Sequence, residues 1–127
     1  MSFWNTFTAA PHRMMMFAGT VQLVLALLFW TLELGSRYLG VPAQFGIVLP
    51  GSWLHGYLML YSLFPYFIFG FLMTTYPRWM NGPLVERSRY IPNFLVMVAG
   101  TALVYAGMFA HTALLGIGAL VQAGGWL

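Results

Sequence analysis

Residues 53–81, WLHGYLMLYSLFPYFIFGFLMTTYPRWMN, decide the fold. The stretch carries no charge before Arg78, with His55 near its start and Pro65 in its middle. A helical crossing of a bilayer needs about 20 predominantly apolar residues, and this run exceeds that. The whole chain agrees: 61% of its 127 residues are hydrophobic and only 6% are charged. A water-soluble domain has roughly 25% charged residues, so the chain reads as an integral membrane protein. The expected fold is all-α, a polytopic transmembrane helix bundle of three spans and a partial fourth in a single domain.

The spans are placed at about 14–34, 53–76 and 92–111, followed by an apolar tail, 112–127. Pro11 opens the first, since proline is tolerated in the first helical turn. Met15, Gly19, Gln22, Ala26 and Glu33 then share one helical face, which points to protein rather than lipid. In the second span Pro65 lacks an amide hydrogen and crowds the Tyr61 carbonyl, so a kink is expected. His55, Met59, Ser62, Tyr66 and Met73 share its face. Pro92 marks the start of the third span, where Met97, Gly100, Val104, Gly107 and His111 align and the glycines allow close helix approach. The tail would reach about 24 Å as a helix, short of the roughly 30 Å hydrocarbon core. Breakers from Gly35 to Gly51, Pro42 among them, make the loop between the first two spans.

Five arginines and two glutamates are the only formal charges, and there is no cysteine or lysine. Thiolate metal sites and disulfides are therefore excluded. The basic balance reports membrane orientation and gives no sign of nucleic-acid binding. Arg13 precedes the first span and Arg78, Arg87 and Arg89 follow the second, while Arg37 alone lies between them. The positive-inside rule then places the N-terminus and the 77–91 loop in the cytoplasm and loop 35–52 in the periplasm of a bacterium. No basic region precedes the first apolar run, so no cleavable signal is expected. On this topology His55, His111 and Glu33 lie at one membrane side, and His12 with Arg13 at the other.

Ionisable residues inside spans are costly and mark candidate function. His55 and His111, at matched depth, could be axial ligands of a b-type haem or part of a copper site. Each could equally be an interfacial residue bonded to water or a neighbouring helix. Glu33 could orient a ligating histidine or pair with Arg37 four residues on. His12 with Arg13 could meet a haem propionate, ligate a metal or anchor the helix at the interface. Met14, Met15 and Met16 point about 100° apart and cannot converge on one ion; packing accounts for them. No nucleophile–base pair, phosphate loop or paired carboxylate is visible, and no internal repeat suggests a transporter.

APHRMMMFAG at 10–19, LHGYLMLYSLFPYFIFGFLMTTYPRWMNG at 54–82 and RSRYIP at 87–92 resemble the NnrS family of polytopic membrane proteins. The resemblance covers essentially the whole chain and is most specific over 70–82. It implies a haem- and copper-containing protein of the bacterial inner membrane, acting in denitrification or the response to nitric oxide. It also implies that the chain corresponds to the N-terminal portion of longer proteins, which then supply the remaining core. His12 and His55 match candidate ligands; His111 rests on the topology alone. Where many members carry a His-x-His-Glu run, this chain has His55, Tyr57 and Leu58 at the histidine, histidine and glutamate positions. A different reading also fits: a small accessory subunit without its own cofactor, packed against a larger respiratory, photosynthetic or oxygenase-type membrane complex.

Overall fold

The computed structural model describes residues 2–40 and 46–127; Pro42, expected to break the first loop, lies outside them. Among the described residues there are five helices and no strand. They are α1 (Phe3–Phe7), α2 (Pro11–Tyr38), α3 (Gly51–Trp79), α4 (Arg87–Ala110) and α5 (Thr112–Gly124). The all-α reading holds: α2, α3 and α4 are each long and apolar enough to cross a membrane, and α5 is a shorter apolar helix. Helices suit lipid because they satisfy their own backbone polar groups.

Local chemistry sets the helix ends. Pro11 occupies the first turn of α2, where its missing N–H costs nothing. Helix α3 ends in a Schellman motif: the Gly82 N–H bonds to the Pro77 carbonyl at 2.8 Å and the Asn81 N–H to that of Arg78 at 3.3 Å. Asn81 takes the left-handed conformation this requires, with φ 53°. Helix α4 begins at Arg87, earlier than the start expected at Pro92. The N-terminal segment holds that extra turn: Tyr90 Oη donates to the Thr8 carbonyl at 2.6 Å and Arg87 Nη2 to that of Asn5 at 3.2 Å.

Just before Pro65 the helix departs from α geometry. The preceding residues Leu58–Leu63 widen into a π-helical turn, and the Phe64 N–H reaches back to the Met59 carbonyl. Single π-turns within α-helices relieve such a conflict and bend the axis.

Two apolar clusters fill the bundle. Met14, Met15, Tyr66, Tyr90, Phe94 and Met97 pack toward the α1 end. Ala26, Phe29, Leu54, Leu58, Val104 and Met108 pack toward the far end. Helices α2 and α3 form one antiparallel pair and α4 and α5 another, with α4–α5 the more intimate. Glycines explain that intimacy. A Cβ at Gly100 would strike the Gln122 backbone, and one at Gly107 the Leu115 backbone. From the facing helix, a Cβ at Gly118 would stand 2.6 Å from the Val104 nitrogen.

Candidate functional site

A polar network lies in the core between these helices, centred on Gln122 of α5, which is fully buried. Its Oε1 accepts from Tyr57 Oη at 3.0 Å and from Ser62 Oγ at 3.1 Å. Its Nε2 donates to the Tyr61 carbonyl at 2.9 Å and to Thr101 Oγ1 at 3.2 Å. Thr101 spends its own hydrogen on the Met97 carbonyl at 3.0 Å, so Tyr66 Oη is the donor in its 3.0 Å contact with Thr101. All four hydrogen-bonding positions of the Gln122 amide are thereby used. The Tyr61 carbonyl is the group that Pro65, lacking an N–H, cannot serve. Gln122 therefore repairs the backbone defect of α3 from another helix.

The three histidines occupy two ends of the bundle. His12, half-buried near the start of α2, has Nδ1 3.4 Å from Thr74 Oγ1. Thr74 already donates to the Gly70 carbonyl at 2.8 Å, so in this long contact Nδ1 is the donor. His55 lies at the far end, half-buried, its ring stacked on Trp30 with centroids 4.2 Å apart and planes 14° apart. Its Nδ1 is buried with no hydrogen-bond partner among the described residues. Trp30 stands 18 residues after His12 along α2, about 27 Å at 1.5 Å per residue. His12 and His55 thus cannot share one ion.

His111 lies at the same end as His55, just beyond Met108, whose carbonyl accepts from the Val48 N–H at 3.0 Å. It is exposed, in extended conformation between α4 and α5. Its Nδ1 accepts the Ala113 N–H at 3.1 Å, so the ring acts as the N-cap of α5. That contact places the ring hydrogen of neutral His111 on Nε2. Glu33 is engaged by Arg37, whose Nε and Nη2 donate to Oε1 at 2.9 and 2.6 Å. The same carboxylate abuts Gly51, where α3 begins and a Cβ would overlap it. Its place is thus between the Arg37 guanidinium and the first residue of α3.

With the geometry in view, the comparisons with known proteins decide the family. The profile of the NnrS family, described as NnrS protein, matches residues 6–127. The chain belongs to the NnrS family. No curated protein and no solved structure matches it. NnrS membership makes the chain, at family level, a membrane protein related to the nitric oxide response.

The haem and copper that the NnrS resemblance implies make different demands on these residues. For haem, His55 offers one half-buried imidazole against an indole wall, with Nδ1 turned into the protein and closed to a metal. For copper, no three His, Cys, Asp or Glu side chains come together among the described residues. Among the described residues His55 is the candidate haem ligand of this chain.

Sequence reasoning passed over Gln122 and Thr101, which organise the polar core. The available signal was a glutamine in an apolar helix, a residue that lipid penalises unless neighbouring helices satisfy it.

Proposed function

We propose that this NnrS-family chain is a haem-binding protein of the bacterial inner membrane that protects against nitric oxide or nitrosative stress. The reading is supported by the family match over residues 6–127 and by His55, half-buried at the far end of the bundle with its ring stacked on Trp30. His55 is the residue assigned to the iron. Bound haem supplies an iron that takes nitric oxide as a ligand. His12, about 27 Å away by helix rise, serves the opposite membrane side with Arg13, whose Nη1 donates to the Thr6 carbonyl at 2.9 Å. The test is the absorption spectrum of gently purified protein, oxidised and reduced, as wild type, His55→Ala and His12→Ala. A haem band that collapses only in His55→Ala supports the assignment. Absence of a band in the wild type, or a band unchanged in His55→Ala, overturns it.

A second reading is favoured by two glycines on outer faces. A Cβ at Gly56 or at Gly116 would meet no other atom within 4 Å. Small residues on open faces let another helix approach closely, as a subunit of a larger membrane complex requires. Co-purification of a stoichiometric membrane partner in mild detergent supports it. A stable monomer counts against it.

A further inference from the structure

Two hollows lie along one groove between α2 and α4, a charged one at the α1 end and an apolar one beyond it. The first, of about 490 Å³, is lined by Asn5, Thr6, Ala9, Arg13 and Arg87. Both arginines are exposed, and each gives one hydrogen bond to an α1 carbonyl, Arg13 to Thr6 and Arg87 to Asn5. A guanidinium has five N–H donors, so each keeps donors for a further group. No carboxylate pairs with either one among the described residues, where the ion pair is Arg37–Glu33. Glu86, the acid beside Arg87 in sequence, accepts from Ser88 Oγ at 3.1 Å.

The second hollow is a cleft of about 400 Å³ with no charged residue in its lining. It exists because α2 packs mainly on α3, and α4 on α5, which leaves α2 and α4 little contact with each other. Phe7 of α1 closes its near end, its ring 5.5 Å from that of Phe17 and 6.3 Å from that of Phe94. The Gln22 amide and the Tyr105 hydroxyl are buried behind the wall, and the Thr101 hydroxyl is spent on the polar network. An occupant therefore meets hydrocarbon and aromatic carbon. The lip, formed by Val21, Leu25 and Val98, is exposed on the outer surface of the bundle and so opens to the bilayer. Helical register joins the two hollows. Phe17 and Val21 follow Arg13 at steps of four residues, and Phe94 and Val98 follow Arg87 by seven and eleven, which keeps each set on one face.

We propose that this groove seats one anionic phospholipid, with its phosphate on Arg13 and Arg87 and an acyl chain in the cleft. Arginine forks match phosphate oxygens, and basic residues at a membrane surface attract acidic lipids. A chain descending from that level passes the exposed ring of Phe17 and lies along Val21 and Leu25. From Phe17 to Leu25 the helix rises about 12 Å, so the cleft follows the chain into the hydrocarbon layer. A soluble phosphate would satisfy the arginines and leave the cleft unfilled. A zwitterionic phospholipid would fill the cleft but bring its own cation to the arginines. The acidic lipid answers to both hollows. Orientation alone accounts for arginines at this end, but not for two of them, from different helices, meeting above an apolar cleft. Arg89, at the same end, lines neither hollow.

The experiment is native mass spectrometry of the purified protein in a non-ionic detergent. The probes are dioleoyl phosphatidylglycerol, dioleoyl phosphatidylcholine and, as a headgroup without chains, glycerol phosphate. Wild type is expected to hold one phosphatidylglycerol at least about tenfold more tightly than phosphatidylcholine, since each surface arginine contributes about fivefold toward an acidic lipid. Glycerol phosphate should not bind at matched concentration. Arg13→Gln and Arg87→Gln should each weaken phosphatidylglycerol by about fivefold and leave phosphatidylcholine unchanged. Arg89→Gln removes the same charge from the same end and should change neither lipid. Ala102→Phe, at the cleft wall, should weaken both lipids severalfold. Equal wild-type affinity for the two lipids would overturn the proposal without recourse to any variant. So would a loss in Arg89→Gln equal to that in Arg13→Gln, which would mean diffuse charge and no site. Unchanged binding in Ala102→Phe would remove the chain from the cleft, and glycerol phosphate binding as tightly as the lipid would make the ligand a soluble anion; either result overturns it as well. None of these readouts involves a haem band, so the outcome is independent of the assignment of His55.

Discussion

At Gln122 one amide holds three helices together, and the Tyr61 carbonyl it caps is the one that Pro65 leaves open. Interhelical hydrogen bonds in membranes average about 0.6 kcal/mol and reach about 1.7, so Gln122→Leu, which removes four, should cost about 2 kcal/mol. Reversible unfolding in mixed micelles measures this. The link to Pro65 makes a sharper expectation. Pro65→Ala restores an N–H for Tyr61, so Gln122→Leu should cost less in that background than in the wild type. Equal costs in the two backgrounds would show that the cap and the proline act independently. His111 carries a comparable local role. His111→Ala should lose about 1 kcal/mol as a missing N-cap, and His111→Asn, which keeps an acceptor, should recover most of it. If the haem band survives in both variants, His111 is a cap and no ligand.

Helix α5 is held to α4 by the absence of side chains. Gly100→Ala and Gly107→Ala each place a methyl group against the backbone of the facing helix. Overpacking of that kind costs about 1–3 kcal/mol; Gly116→Ala, which points into open space, should be neutral. Thermal unfolding of the three variants side by side checks this. Much of this element level was legible in the sequence. The aligned Met97, Gly100, Val104 and Gly107 are all buried, as are Met15, Gly19, Gln22 and Ala26 of α2. Helical spacing carries that information directly. His111 was placed on the same face as Gly107, but the helix ends at Ala110 and the ring turns outward to cap the next one. Helix α4 starts before Pro92 for a related reason: Thr8 and Asn5, some 82 residues away, hold its first turn. Contacts across such separations have no local signature. The Gln122 network, which spans 60 to 65 residues, was hidden in the same way.

Across the whole molecule, the two ends differ in charge. Arg13, Arg78, Arg87 and Arg89 gather at the α1 end, and the Arg37–Glu33 pair lies at the other. The positive-inside rule then expects the α1 end to be cytoplasmic. Because the chain has no cysteine, single introduced thiols report this cleanly. Ser88→Cys should react with an impermeant maleimide only in opened cells, and Ser36→Cys in intact ones. The reverse pattern would invert the topology and move His55 to the cytoplasmic side. The glycine-lined contact also bears on how the protein is made. Helix α5 has 13 residues, about 20 Å at 1.5 Å each, and it carries Gln122. Alone, it would enter the hydrocarbon with a naked amide, which lipid penalises. Paired with α4, it arrives with its polar group already offered to Thr101 and its backbone shielded along one side. Biogenesis of this region is therefore expected to proceed by insertion of α4 and α5 together as a hairpin, with His111 at the turn, rather than one helix after the other.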